Sequence, residues 1–194
     1  NANGCTSSDA VLVTVDTTQP NADAGSDVIL TCINPTLQIG SVAVAGNTYA
    51  WSPALGLSNA SIAQPTVNAN GNYTLTVTKL VNGCTSSDAV TVSVDTTKPV
   101  ANAGANVTLT CSNPTLQIGT AAITGNTYVW SPSVGLSNAA IAQPIANTTD
   151  TYTLTVTKTS NGCTSTDAVI VAIDTTRPIA NAGVDTSICQ GRPT

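Results

Sequence analysis

The 194-residue chain sets three Lys and two Arg against ten Asp, for a net charge of −5, and only 8% of its residues are charged. That balance excludes a basic nucleic-acid-binding or anionic-membrane surface, and no apolar run approaches the ~18 residues of a membrane span. His and Glu are absent, which removes the commonest general bases and metal ligands, while abundant Thr and Val favour pleated, half-buried surfaces.

The first recognisable element, "NGCTSSDAV" at 3–11, returns letter for letter at 82–90 and as "NGCTSTDAV" at 161–169. Its cysteines set the period: 84 − 5 = 79 and 163 − 84 = 79. A fixed period of this size predicts a tandem array. Residues 1–16 are then the C-terminal strand or strands of a preceding repeat, 17–95 and 96–174 are two complete repeats, and 175–194 begin a following one. Lacking an initiator Met and a signal peptide, the chain is expected to be a piece cut from a longer, processed array.

Within the repeat 17–95, "DVILTC" places Val28, Leu30 and Cys32 on one face. "PTLQIGS" follows as a second short strand, and "NTYAW" as a third with Tyr49 and Trp51 on a common side. "SPALGLSNASIAQP" is rich in turn formers and is expected to be a loop. "YTLTVTK" alternates with Tyr73, Leu75 and Val77 inward. "VNG" supplies an Asn-Gly hairpin turn, and "AVTVSVD" returns with Val90, Val92 and Val94 inward. The second repeat carries every landmark at +79: Cys111, Tyr128, Trp130, Tyr152 and Cys163. The reading is all-β: tandem Ig-like β-sandwich domains, strung end to end by proline-containing junctions ("VDTTQPNADAG", "VDTTKPVANAG", "IDTTRPIANAG") that leave little freedom. Trp51 and Trp130 lie in alternating strands beside a tyrosine, so core plugs are expected rather than sugar-stacking platforms.

Six cysteines without a CxxC pair or any His point to structural disulfides and a compartment outside the cytosol. The expected pairing is within each repeat, Cys32 with Cys84 and Cys111 with Cys163, each closing 52 residues (84 − 32; 163 − 111). By the chain-entropy model such a loop contributes about 4 kcal/mol. Cys5 matches the second cysteine of a repeat and Cys189 the first, so their partners are expected outside the chain. Asp16, Asp23 and Asp27 cluster at the first junction, where they could supply oxygen ligands to calcium or cap turns; Asn replaces two of them at the second. No catalytic, cofactor or resident metal site is expected, because the chain has no His or Glu and its Asp residues sit mainly at strand ends and linkers.

The combination of "PVANAGANVTLTC", "NTYVWSPSVGLSN" and "YTLTVTKTSNGCTSTDAVIVAI" resembles the PKD-like, Ig-like repeats of giant cell-surface adhesins of Bacteroidota, the SprB-type gliding-motility adhesins among them. "WSP" stands where ordinary PKD domains carry "WDFGDG", so the likeness is to the Ig-like sandwich more than to either label. The resemblance implies type IX secretion and display as surface filaments that serve cell adhesion or gliding motility. The function expected is thus a structural stalk segment of a large secreted adhesin. The alternative is a glycan-binding or spacer module attached to a secreted hydrolase. Expected partners are neighbouring repeats, with surface polysaccharide or other filaments outside the chain, and neither nucleic acid nor an inserted membrane. "DTT" resembles the O-glycosylation signal of the same bacteria, which marks Thr17, Thr96 and Thr175; the plain alternative is a strand terminator leading into a proline turn.

Overall fold

The computed structural model describes residues 3–185, 187, 190 and 191. All regular structure among them is β. In the first repeat the strands are β1 (Val28–Thr31), β2 (Leu37–Gln38), β3 (Asn47–Ser52), β4 (Thr66–Val67), β5 (Gly71–Lys79) and β6 (Thr85–Asp95). The second repeat follows the same plan with β7 (Val107–Thr110), β8 (Leu116–Gln117), β9 (Asn126–Ser131), β10 (Ile145–Ala146), β11 (Asp150–Lys158) and β12 (Thr164–Asp174).

Two sheets form each sandwich. One has the order β1-β6-β5-β3 and the other pairs β2 with β4; the second repeat gives β7-β12-β11-β9 and β8 with β10. The hairpin β5–β6 is antiparallel, with Tyr73 opposite Val90, and β3 lies antiparallel to β5, with Trp51 opposite Leu75. β1 runs parallel to β6, Val28 opposite Val92 through Thr31 opposite Asp95, and β7 runs parallel to β12 in the same way. A four-stranded sheet facing a second, smaller sheet gives an immunoglobulin-like sandwich.

Period-2 alternation puts one side of each long strand between the sheets. Tyr73, Leu75, Val77 and Val90 are buried, and with Trp51, Leu30, Ile39 and Val67 they form one core. Trp130, Tyr152, Leu154, Val156 and Val169 form the equivalent second core. Burying a Val or Leu side chain contributes roughly 1.5–3 kcal/mol, so these layers dominate the favourable side of folding. Val94, expected inward, is 48% exposed: β5 begins at Gly71, opposite Val92, and so leaves Val94 without a β5 residue beside it.

Two further departures concern strands. β4 forms directly after the "SPALGLSNASIAQP" loop, at residues for which the sequence predicts no strand, and is held by an additional bridge from Leu57 to Val67. The stretch 3–16 forms no strand, and Val11, Leu12, Val13 and Val15 are exposed. Its counterpart β6 is flanked by β5 and β1 of its own repeat, whereas among the described residues no strand pairs with 3–16.

The chain divides into two compact units that are not coextensive with the repeats. The first comprises residues 1–99 together with 157–164, the tip of the β11–β12 hairpin; the second comprises 100–156 and 165–194.

Candidate functional site: the repeat junction

The junction "DTT" begins with an Asx turn, in which Asp16 Oδ1 accepts from the Thr18 amide at 2.9 Å. The other oxygen, Oδ2, faces Lys79 Nζ at 3.4 Å. The hairpin that follows β5 then reaches over the junction. Asn82 Nδ2 donates to the Thr18 carbonyl at 3.0 Å, while Asn82 Oδ1 accepts from the Cys84 amide at 3.0 Å and so orients the side chain. Asn-Gly in the turn is therefore more than a turn former: Gly83 supplies the left-handed backbone (φ 72°) and Asn82 supplies the clasp.

Further along, the connecting segment is tacked to β6 by side chains. Ser86 Oγ donates to the Pro20 carbonyl, the Ala24 amide donates to Asp88 Oδ2 at 2.8 Å, and the Thr91 amide donates to Asp27 Oδ1 at 2.8 Å. From residue 28 onward the backbone itself pairs as β1. The junction is thus the leading edge of the four-stranded sheet, not a free linker.

The second junction repeats the clasp. Asp95 Oδ1 accepts from Thr97 N at 3.0 Å, Asp95 Oδ2 faces Lys158 Nζ at 3.4 Å, and Asn161 Nδ2 donates to Asp95 Oδ1 and to the Thr97 carbonyl, both at 3.0 Å. The Ala103 amide meets Asp167 Oδ2 at 2.8 Å, and Ile170 N meets Asn106 Oδ1 at 2.8 Å. Hydrogen bonds from Thr18 first, then Lys79, lower the Asp16 carboxyl to about 2. For Asp95 the bonds from Thr97 come first, then Asn161 and Lys158, again to about 2. Thr176 lowers Asp174 likewise.

The cysteines do not pair as expected. Cys32 is bonded to Cys163, 131 residues away, with Cα atoms 5.1 Å apart, and both lie in the first compact unit. Cys84 and Cys111, expected to bond Cys32 and Cys163, are free, as is Cys5. Cys189 lies outside the described residues. The parallel register is the reason. Cys32 follows Thr31, which is level with Asp95 at the last residue of β6, whereas Cys84 precedes Thr85 at the first. Eleven residues at about 3.3 Å each put them roughly 35 Å apart, against the ~7 Å limit for a disulfide. Cys111 and Cys163 lie at opposite ends of β12 for the same reason.

Around this bond the hairpin tip is covered. Asn161 and Cys163 are buried, and the Ile33 amide donates to the Asn161 carbonyl at 3.3 Å. Gly162 has φ 67°, and a Cβ there would run into the Ile33 side chain. No spacing rule marks Cys32 and Cys163 as partners; the signal in hindsight is that 131 = 52 + 79, one repeat more than the expected loop.

Thr17, Thr96 and Thr175 are exposed, each between an aspartate and the threonine whose amide that aspartate accepts. Asp16, Asp23 and Asp27 each accept a backbone N–H, Asp23 from Gly25 at 3.0 Å. Among the described residues, no group of three or more His, Cys, Asp or Glu could hold a metal ion. Trp51 and Trp130 are buried, and their Nε1 atoms donate to the carbonyls of Ile62 and Ile141 at 2.9 Å. Tyr73 and Tyr152 hydroxyls donate to the carbonyls of Leu55 (3.0 Å) and Val134 (2.9 Å). These bonds fasten the "SPALGLSNASIAQP" and "SPSVGLSNAAIAQP" loops to the core, and the buried indoles present no face to a sugar. The first unit also holds a cavity of about 610 Å³ beside the junction, lined by Pro20, Asn21, Val44, Tyr49 and Lys79 among others.

No known family model matches the sequence, and no curated protein is significantly similar to it. Solved structures that match include the I-band fragment I67–I69 of titin (10% identity over 79% of this chain and 64% of that one, TM-score 0.37). Others are the three N-terminal domains of the bacteriophage RB49 outer capsid protein Hoc (14%, 71% and 54%, TM-score 0.39) and domains 3–5 of Drosophila OTK (10%, 79% and 64%, TM-score 0.32). The chain thus spans less than two thirds of the length of each.

Proposed function

We propose that this chain is a structural segment of a secreted, surface-displayed bacterial adhesin, a stalk or filament whose task is to hold its repeats in a defined, protease-resistant array. The observation that carries this reading is the clasp repeated at successive junctions: Asp16, Lys79 and Asn82 at the first, Asp95, Lys158 and Asn161 at the second. Committing the same polar residues to each connection serves a spacer, in which each repeat is ordered against its neighbour in sequence. A disulfide supports an oxidising, extracellular setting. Exposed Thr17, Thr96 and Thr175 are proposed glycan attachment points, where a sugar would shield the junction without entering a core.

A second reading, a glycan-binding module attached to a secreted hydrolase, is favoured by the cavity beside Tyr49 and Lys79. Two measurements separate them. Immunogold labelling of source cells with antibody to this chain should decorate fibres extending from the surface, and the purified chain should show no saturable binding on a polysaccharide array. Saturable binding abolished by Tyr49→Ala, with label confined to a soluble hydrolase, would overturn the stalk reading. Intact-mass analysis of native material should show hexose-type additions at the three threonines; unmodified junction peptides would remove that part.

A further inference from the structure

Cys32 and Cys163 occupy non-equivalent positions of successive repeats: the residue after the first strand, and the residue after the Asn-Gly turn. Each has an unbonded twin one period away. Cys111 is Cys32 plus 79, and Cys84 is Cys163 minus 79.

The twin hairpin has the same internal build. Asn82 Oδ1 accepts from Cys84 N, and Asn161 Oδ1 accepts from Cys163 N, both at 3.0 Å. Both turns place a glycine at positive φ, and both clasp the junction below. What differs is the cover. Asn161 and Cys163 are buried where the Cys32–Ile33 segment meets them, whereas Asn82 and Cys84 are not fully covered. A bond back to their own repeat is closed to both free thiols, because β6 and β12 hold the two positions at opposite ends of an 11-residue strand.

We propose that Cys84 and Cys111 are open positions of a disulfide ladder, in which the first-strand cysteine of each repeat bonds the hairpin cysteine of the next. The partner of each is then a further repeat of this sequence type. Cys111 bonds a hairpin cysteine beyond it and Cys84 a first-strand cysteine before it, each at the 131-residue separation of the existing bond. Ser112 stands where Ile33 does, so this rung keeps the cysteine register without the isoleucine contact.

Each rung forms by two exchanges with a small-molecule disulfide such as oxidised glutathione. One protein thiolate displaces a glutathione thiolate and forms a mixed disulfide; the second protein thiolate then displaces the other. Two protein thiols are oxidised to one disulfide, the oxidant's disulfide is reduced to two thiols, and the two protons end on the released glutathione. Such a ladder joins overlapping loops, so a peptide bond cut within a rung leaves the fibre covalently continuous. The ladder depends on the register of the repeat, whatever the array is attached to.

The test lengthens the chain by one copy of residues 96–174 inserted after Asp174, folds it in a glutathione redox buffer, and maps it by mass after alkylation without reduction. Cys111 should escape alkylation and be recovered bonded to the hairpin cysteine of the inserted repeat, while Cys84 remains alkylated. Recovery of Cys111 joined to Cys163, or alkylated Cys111 beside an intact Cys32–Cys163 bond, would overturn the ladder. A second variant needs no added repeat. In the 194-residue protein, Cys163→Ser should leave Cys32 alkylated to the same extent as Cys84. A Cys32–Cys84 bond in that variant would show that the register does not exclude pairing within a repeat.

Discussion

Pulling the oxidised protein from its two ends should leave most of its length hidden. The Cys32–Cys163 bond removes 131 of 194 residues from the load path, so only 194 − 131 = 63 can extend. At about 3.5 Å per residue, the fully unfolded oxidised chain should reach about 220 Å, and reduction should release about 460 Å more. Pairing within repeats would instead hide 52 + 52 = 104 residues (84 − 32 and 163 − 111), about 360 Å. The two arrangements therefore differ by roughly 100 Å, well within the resolution of optical-tweezer contour measurements. The same bond constrains the unfolded chain: a loop of 131 residues corresponds to about 5 kcal/mol in the chain-entropy model. Reduction should thus also shift the chemical-denaturation midpoint strongly. A released length matching the shorter, within-repeat value, or no release at all, would refute the register argument that separates Cys32 from Cys84.

Three further outcomes follow from the geometry. Gly162→Ala and Gly83→Ala both force alanine to positive φ, at about 1–2 kcal/mol, but only at 162 does the new Cβ meet Ile33, so urea melts should show the larger loss there and partial recovery in Gly162→Ala/Ile33→Ala. Asp16 and Asp95 have folded values lowered to about 2 from 3.8, so their stabilisation is present above pH 4 and lost as pH falls from about 4 towards 2. Asp95→Asn should flatten that acid limb in stability measured against pH, whereas an unchanged limb would remove the clasp carboxylates from the account. Trp130→Ala should cost about 3–5 kcal/mol by fluorescence-independent denaturation, since the indole is buried and its Nε1–H fastens the Ile141 carbonyl. A cost under about 1 kcal/mol would mean the ring is not a core plug.

Much of the sandwich is legible in the chain because strand burial has a period of two. Tyr73, Leu75 and Val77 alternate with threonine, and they are buried as that alternation requires. Asn82-Gly83 announces the hairpin, and Trp51 beside Tyr49 announces a core strand, because these signals act over a few residues. β4 escapes notice because two residues, held by pairing to β2, carry no periodicity of their own. Residues 3–16 match β6 in sequence yet form no strand, for the converse reason: a strand forms only where another accepts its hydrogen bonds.

The repeat period, the all-β class and most core positions (Val94, placed inward by the same spacing, is exposed) are properties of the sequence by itself, since each follows from local spacing. Which cysteine meets which is not. The shorter loop from Cys32 to Cys84 is compatible with contact in a chain of unknown topology, and loop-closure entropy favours it over the longer loop to Cys163 by only about 1 kcal/mol. Tertiary structure decided between them. Once β1 lies parallel to β6, the two cysteines of a repeat are held at opposite ends of the same strand, and Cys32 meets the hairpin of the following repeat.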